Sequence, residues 1–250
     1  MIVGEEVKCE LMLDWVHSAH PVESRTLNFT YEQKNSPRLW HPLQNITRPN
    51  KPVLWKSMGL PWNYDIRTCA PQVIYQLAVR SGLRVETPYL RAYLKDKSDL
   101  RLKVAKLVDM DPDAAKSLIN SLFCGARLGC NPHYALFRLL ERDEVKMSLL
   151  QTDLEVKGLR QDISACWKVI KKTLYPLQTK RLTPKQKWGL YFSQERQLLE
   201  VVRTICAETG VKMFCEHDGW RANQQMNVEA LKQRILEETE FEVDIEETVY

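Results

Sequence analysis

Hydrophobic residues follow helical spacing along most of the chain. Apolar positions three and four residues apart, often preceded by Ser, Thr or Asp and a proline, are typical of helices that begin at a capped first turn. This pattern predicts helices from Pro71 to Ser81, from Pro88 through Leu94, from Ser98 through Val108, from Asp111 to Phe123, within residues 132–172, from Ser193 to Gly210 and from Asn227 to Glu238.

Short strands are predicted near four segments, at residues 63–66, 211–216, 220–222 and 241–246. The pair Asp218-Gly219 lies between the second and third of these segments and predicts a hairpin turn. Residues 36–61 contain five prolines and little periodicity, which predicts extended chain. A mostly helical chain with a small antiparallel sheet is an α+β fold.

Composition places the chain in the globular class. Its 250 residues are 44% hydrophobic and 27% charged, which excludes collagen-like and disordered chains. The longest charge-free apolar-rich run, Thr68 to Val79, has 12 residues and is too short to span a bilayer. No signal-peptide pattern opens the chain, and its seven cysteines form no CxxC pair. We therefore expect a cytoplasmic protein with no membrane partner and with reduced, mostly buried cysteines.

Charge is unevenly distributed although the net charge is only +4. Residues 38–116 hold 14 basic against 7 acidic residues, and residues 157–203 hold 11 against 3. Residues 216–250 reverse the balance, with 10 acidic against 3 basic. This distribution indicates a polyanionic partner kept away from one acidic region. Solvated helix faces would explain much of the same imbalance.

Two aspartates occupy positions from which a sheet could present carboxylates. Asp65 ends a predicted strand just before a helix, and Asp218 lies at the predicted hairpin tip. Two converging carboxylates could hold two hard cations for phosphoryl transfer. Taken singly, each aspartate is better explained as a turn or cap residue, so the metal-site interpretation depends on the remaining candidate residues.

A third candidate group lies on the helix that begins at Asp111. Lys116, Asn120 and Phe123 fall at i, i+4 and i+7, so they share one helix face. A cation, an amide and an aromatic ring suit a triphosphate and a nucleobase. The alternative is an exposed lysine beside a half-buried phenylalanine.

Four segments in order carry a resemblance to known polymerases. They are Arg38–Arg48, Asp65–Ala78 (motif A), Ala114–Gly125 (motif B) and Glu216–Gly219 (motif C). Over about residues 38–247 the chain resembles the catalytic core of family A DNA polymerases and phage-type single-subunit RNA polymerases. The resemblance implies a palm with a small antiparallel sheet and mostly helical fingers. It divides the chain into residues 1–83 (N-terminal region and first part of the palm), 84–190 (fingers) and 191–250 (second part of the palm).

The sequence also departs from the family pattern. Pro112 replaces the basic residue expected four positions before Lys116, Cys124 replaces the aromatic expected before the glycine, and Asn120 replaces an aromatic of the DNA polymerases. Only 64 residues precede motif A, and no thumb or exonuclease is recognisable among them. Either a partner, such as a helicase or a second polymerase subunit, would then hold the duplex product, or the enzyme would make only short products.

The resemblance also implies a role for each candidate residue. Asp65 and Asp218 would hold two Mg²⁺ ions, with Mn²⁺ as the alternative. Lys116 would neutralise the leaving pyrophosphate, and Asn120 or Phe123 would lie against the base. The nucleic-acid contacts would come from Arg38, Gln44, Asn45, Arg48 and His217. Glu195 is either a third metal carboxylate or a helix N-terminal residue.

Ala70 bears on the choice of sugar. Family A DNA polymerases carry a Glu five residues after the motif A Asp, where it blocks the ribose 2′-hydroxyl. Here that position is Ala70, which favours ribonucleotides and hence a primase or small RNA polymerase. The expected partners of such an enzyme are a DNA template, a primer or nascent strand, and nucleoside triphosphates. Phage or plasmid replication is the expected setting. Another residue could instead gate the sugar.

Three other functions remain open from the sequence. The first is a family A DNA polymerase, and the second is a non-catalytic nucleic-acid-binding replication subunit. The third is a metal-dependent phosphohydrolase, because His-Asp doublets such as His217-Asp218 mark that class. Its further ligands are not evident, since the remaining histidines show no ligand spacing.

Overall fold

The computed structural model describes residues 50–250, together with Glu32–Gln33, Leu39–Trp40 and Ile46. Within these residues the fold is α+β, as predicted, with a small antiparallel sheet and a larger helical part. The strands are β1 (Glu32–Gln33), β2 (Leu39–Trp40), β3 (Trp62–Ile66), β4 (Met213–Glu216), β5 (Gly219–Ala222) and β6 (Ile245–Val249).

Most of the helices in the described residues lie between β3 and β4, whereas one precedes β3 and one lies between β5 and β6. They are α1 (Lys51–Ser57), α2 (Cys69–Arg80), α3 (Pro88–Lys95), α4 (Lys97–Leu107), α5 (Pro112–Phe123), α6 (Ala135–Leu139), α7 (Glu144–Thr152), α8 (Leu154–Leu174), α9 (Pro184–Thr209) and α10 (Val228–Thr239).

The main sheet has the strand order β4-β5-β3-β6, and all of its neighbours are antiparallel. Strands β4 and β5 form a hairpin, whereas β3 comes from the other end of the described chain and lies in the middle of the sheet. The pairing of β3 with β5 therefore joins residues more than 150 positions apart in sequence. Strands β1 and β2 form a separate antiparallel pair.

Two hydrophobic cores support the site region. The helical core contains buried residues of α2 to α8, including Tyr93, Leu118 and Trp167. The sheet core packs one face of β3, β5 and β6 against α2, α9 and α10, with Tyr64 and Trp220 stacked at 5.4 Å between ring centroids. Helix α2 contributes to both cores, so it fixes the sheet relative to the helices.

A third, smaller core covers the outer strand β4. Leu54 and Trp55 of α1 pack with Leu60 and Phe214, and the Trp55 and Phe214 rings are 4.9 Å apart. Beside them the Glu216 carboxylate accepts a 2.7 Å hydrogen bond from Lys51 and forms an ion pair, also at 2.7 Å, with Arg221. These contacts hold the hairpin from the side opposite to the sheet core.

Several predicted boundaries need correction. Residues 51–57 form helix α1 rather than extended chain, because Leu54 and Trp55 are buried. Helix α4 is capped by Asp96, whose side chain accepts from the Ser98 backbone N–H, so Ser98 lies inside the helix. Strand β6 begins at Ile245, later than predicted, although Phe241 and Val243 are buried with period two before it.

The largest correction concerns α9. It begins at Pro184, nine residues before the predicted start at Ser193. Thr183 and Gln186 form a capping box: the Thr183 hydroxyl accepts from the Gln186 backbone N–H at 3.3 Å, and the Gln186 side chain accepts from the Thr183 backbone N–H at 2.9 Å. The helix ends, as predicted, at Gly210, whose φ of +69° suits glycine.

The capping box gives a test of where α9 starts. Thr183→Ala removes a hydroxyl that satisfies a first-turn N–H, so we expect the free energy of unfolding to fall by about 1 kcal/mol. Thr179→Ala, in the exposed loop before the helix, should change it by less than about 0.5 kcal/mol. Urea unfolding followed by circular dichroism measures both. Equal stability of the two variants would contradict a helix start at Pro184.

Candidate functional site

The backbone of the main sheet brings Asp65 to the hairpin that carries Asp218. Asp65 lies opposite Gly219 on one side and opposite Glu246 on the other. One residue further, the Ile66 backbone N–H donates a 2.9 Å hydrogen bond to the Asp218 carbonyl oxygen. Two aspartates separated by 153 positions are thus held side by side by main-chain bonds.

The hairpin turn itself differs from the prediction. The two residues between β4 and β5 are His217 and Asp218, and Gly219 is the first residue of β5 rather than part of the turn. His217 has a φ of +57°, the left-handed conformation that such a tight turn demands of its first residue. This backbone places the Asp218 side chain at the hairpin tip, next to the end of β3.

Gly219 is required by the close approach of β3. A Cβ atom at this position would lie 2.6 Å from the Tyr64 carbonyl oxygen and 3.1 Å from Asp65 Oδ1. No side chain fits at the first of these distances, so the strand pairing depends on a glycine here. The same distances place the Asp65 carboxylate against the first residue after Asp218.

Both acidic and basic neighbours shift the pKa of Asp65. Burial, followed by the neighbouring negative charge of Asp218, raises the pKa of Asp65 from 3.8 to about 7. Glu246 on β6 raises this pKa further, whereas Lys116 and Lys97 lower it. Asp218 and Lys116 are therefore both near enough to Asp65 to shift its pKa, and these are the three residues predicted to carry catalysis.

Lys116 is presented by a helix whose start is well defined. The Asp111 side chain accepts from the Asp113 and Ala114 backbone N–H groups, which caps α5. Ala115, Leu118 and Ile119 are buried in the helical core. Lys116 is therefore left half-buried on the side of the helix that faces Asp65.

The two other residues of the predicted helix face differ in their surroundings. Asn120 is half-buried, and its Oδ1 atom is buried without a hydrogen-bond partner in the described part of the chain. Phe123 is fully buried: its ring packs 5.7 Å from that of Tyr93, and its carbonyl accepts from Trp167 Nε1 at 2.5 Å. A ring with no exposed surface cannot stack on a nucleobase, so the predicted nucleotide-binding role of Phe123 is wrong.

Ala70 lies half-buried in the first turn of α2, five residues after Asp65. The helix begins after Thr68, whose φ of +53° turns the chain sharply away from β3. The small side chain at position 70 therefore follows closely on the aspartate. Its predicted influence on the sugar stays a prediction, as does the predicted contact of His217 with a primer end.

The predicted nucleic-acid residues of the N-terminal segment are not part of this geometry. Arg38, Gln44, Asn45 and Arg48 lie outside the residues that the structure describes.

A buried polar cluster lies behind the aspartates. The Tyr191 hydroxyl donates a 2.6 Å hydrogen bond to Glu195 Oε2, and Glu195 is only 2% exposed. Burial, and then the charges of Asp218 and Glu195, raises the pKa of the Cys69 thiol well above its usual value. Because α9 starts at Pro184, Glu195 is in mid-helix, and its predicted role at a helix N-terminus is wrong.

Lys97 and Glu246 are neighbours of Asp65 that the sequence did not predict. Glu246 alternates with buried residues in a period-two segment, which indicates a strand but not its partner. The register of β6 on β3 brings it opposite Asp65, and Lys97 Nζ then lies 3.1 Å from Glu246 Oε1. Both positions depend on long-range pairing, which local sequence patterns do not specify.

The donor set at this site fits a hard divalent cation. In residues 50–250 no three His, Cys, Asp or Glu side chains are grouped so that they could hold a metal ion together. Two carboxylates suffice for Mg²⁺, which keeps several waters and takes further oxygens from substrate phosphates. A cation between Asp65 and Asp218 would also relieve the repulsion that raises the pKa of Asp65.

Comparison with known proteins adds no assignment. No protein-family model matches the chain, and no curated protein matches it. No helix within the described residues has the length and apolar character needed to cross a membrane.

The close approach at Gly219 predicts a sharp sequence requirement. In Gly219→Ala the added methyl would meet the Tyr64 carbonyl, so we expect the free energy of unfolding to fall by about 1–3 kcal/mol. Gly189→Ala in α9 is the matched control, because nothing lies within 4 Å of its Cβ position and alanine favours a helix. Urea titration measures both changes. A Gly219→Ala variant as stable as the wild type would contradict this strand pairing.

The raised pKa of Asp65 predicts how stability changes with pH in metal-free protein. Folded protein binds the Asp65 proton more tightly than unfolded protein does. Protonation of Asp65 therefore raises the free energy of unfolding. This stabilisation is fully present below about pH 4 and is lost as pH rises through about 7. Its slope cannot exceed about 1.4 kcal/mol per pH unit, the value for one proton. In chelator, Asp65→Asn should remove this dependence, whereas Asn at the exposed Asp99 should preserve it. Identical pH profiles for wild type and Asp65→Asn would contradict the assignment.

Proposed function

We propose that this protein is a template-directed nucleotidyltransferase, a minimal polymerase whose four-stranded sheet is the palm and whose helices α3 to α8 form the fingers. The observation that carries the proposal is the meeting of Asp65, Asp218 and Lys116. Asp65 lies near the end of β3, Asp218 lies in the turn of the β4–β5 hairpin, and Lys116 comes from a helix of the other core. Two carboxylates facing a cation suit a reaction at a triphosphate.

The acidic pair is the metal-binding half of the proposed site. Asp65 and Asp218 would hold Mg²⁺, or Mn²⁺ as the alternative ion. When bound, such ions supply Lewis-acid activation of a 3′-hydroxyl and neutralise charge on the triphosphate. The carboxylates fix where the ions lie, because main-chain bonds between β3 and the hairpin hold both residues.

Lys116 is the nucleotide-binding half. Its ammonium group would pair with the outer phosphates of the nucleoside triphosphate and stabilise the pyrophosphate as it leaves. Asn120, one helical turn further along α5, has a buried oxygen that lacks a donor in the described part of the chain. An incoming nucleotide would supply such a donor from its base or sugar.

The small side chain of Ala70 supports ribonucleotides as the substrates. A methyl group close to Asp65 leaves room where a carboxylate would exclude a 2′-hydroxyl. The proposed enzyme is therefore a primase or small RNA polymerase that copies a DNA template. His217 at the hairpin tip would orient the primer or nascent end, and a helicase or second polymerase subunit would help to hold the duplex.

An extension assay tests this function. Purified protein is incubated with Mg²⁺ and with single-stranded or primed DNA, using ribonucleotides and deoxyribonucleotides in parallel. We expect ribonucleotide products, and we expect Asp65→Asn and Asp218→Asn to lower the rate by at least about a thousandfold, as loss of a metal ligand would. Asp99→Asn, an exposed substitution in α4, is the control and should extend normally.

Other products would point elsewhere. Deoxynucleotide products alone would identify a DNA polymerase and would place the sugar gate at a residue other than Ala70. Unchanged products in Asp218→Asn would contradict the metal site. Nucleic-acid binding without any product, in the presence of candidate partner subunits, would favour a non-catalytic replication subunit.

A further inference from the structure

A strongly basic surface lies at the connection between α8 and α9. Residues 163–194 contain seven Lys and Arg residues and no Asp or Glu. All seven are exposed or half-buried, and none forms an ion pair with another residue that the structure describes. This basic surface consists of Lys168, Lys171, Lys172, Lys180, Arg181, Lys185 and Lys187.

The connection that carries these cations is ordered by its own hydrogen bonds. Lys171 Nζ donates to the Thr179 carbonyl at 3.0 Å, which joins the end of α8 to the loop. The Gln186 side chain donates to Gln178 Oε1 at 2.9 Å, which joins the loop to the first turn of α9. The positive charges are therefore presented on a defined surface rather than on a free loop.

Lys187 is half-buried against an aromatic ring. Its ammonium group lies 5.0 Å from the centre of the Trp167 ring. Burial, opposed by Cys124 and assisted by the positive charge of Arg181, lowers the pKa of Lys187. No carboxylate is paired with Lys187 or Arg181 in the described part of the chain, so a bound anion would stabilise both charges.

The basic surface reaches the end of the helix that carries Lys116. A Cβ atom at Gly125, two residues after the end of α5, would lie 3.0 Å from Lys187 Nζ. Lys116 lies seven residues before Phe123, the last residue of α5, which is about 10 Å of helix at 1.5 Å per residue. Lys116 and the basic surface are therefore joined by the second half of α5.

We propose that the basic surface binds the phosphates of a single nucleic-acid strand whose end lies at the Asp65–Asp218 site. The proposal rests on the proposed function, because it takes that site as the place where the strand starts. Trp188 and Phe192 are half-buried beside the surface, with their rings stacked at 5.2 Å. Cations next to accessible aromatic rings are typical of single-strand binding.

An anionic membrane is the main alternative ligand. It would also attract clustered lysines, and Leu177 in the loop is 95% exposed. A strand is favoured because the surface meets α5, the helix that carries Lys116, and a bilayer at the same place would cover this approach to the site.

Salt-dependent binding tests the proposal. The probe is a fluorescent single-stranded oligonucleotide of about 20 thymidines, titrated without nucleoside triphosphates at several salt concentrations. Lys180→Gln/Arg181→Gln should weaken binding about tenfold at about 0.1 M salt and lower the slope of log affinity against log salt by about 1.4, the value for two lost phosphate contacts. A second pair, Lys168→Gln/Lys172→Gln, should behave alike.

The matched control removes two charges from the same helix away from the surface. Lys157 and Arg160 are exposed on α8, and Lys157 is about 16 Å along the helix from Lys168. Lys157→Gln/Arg160→Gln should leave both affinity and slope unchanged. Equal losses in the control and the surface variants would overturn the proposal, as would no loss in either surface variant. Wild-type binding to phosphatidylserine vesicles but not to the oligonucleotide would overturn it in favour of a membrane.

Failure of the surface and failure of the proposed function give different results. The binding assay needs no catalysis, so Asp218→Asn should bind the oligonucleotide like the wild type. If the surface variants lose affinity while the wild type extends no primer, the proposed function fails and the basic surface stands. If the wild type extends primers and the surface variants bind normally, the basic surface fails and the proposed function stands.

Discussion

The site depends on one long-range backbone pairing, that of β3 with the β4–β5 hairpin. The hydrogen bond from the Ile66 N–H to the Asp218 carbonyl, together with the opposition of Asp65 and Gly219, holds two acidic residues side by side. Main-chain bonds between strands are obligatory once the strands are buried, because an unpaired peptide group there costs free energy. The like charges of Asp65 and Asp218 oppose this arrangement, and the sheet and its two flanking cores stabilise it.

Burial and the repulsion between Asp65 and Asp218 determine the protonation of Asp65. Burial and the charge of Asp218 raise the pKa of Asp65 to about 7, while Lys116 and Lys97 lower it. A carboxyl group in this state gains from a bound cation, because the cation restores the ionised form. The basic surface meets the end of α5 at Gly125, whereas Lys116 lies in the first half of that helix, so Lys116 and the basic surface are separated along α5. That separation suits a ligand that carries a line of phosphates and ends at a reacting group.

Local sequence patterns predicted the parts that depend on nearby residues. The Asp111-Pro112 cap gave the start of α5, and alternation gave the hairpin strands. The polyanionic partner that the charge pattern indicates stays a prediction. The register of β6 on β3 was not predictable, because a period-two pattern identifies a strand but not its partner. This register brings Glu246 beside Asp65. The burial of Phe123 was not predicted, because Tyr93 and Trp167, which contact it, come from other helices. The start of α9 was missed although Thr183-Pro184 offered a cap.

Mn²⁺ binding followed by electron paramagnetic resonance tests most directly whether Asp65 and Asp218 form one cation site. Free and bound Mn²⁺ are counted for the wild type, Asp65→Asn, Asp218→Asn, the double variant and the control Asp99→Asn. A shared site predicts that each single substitution weakens Mn²⁺ binding at least about tenfold and that the double variant loses little more, since contacting groups are not additive. Wild-type affinity in either single variant, or losses that simply add in the double variant, would contradict a shared site.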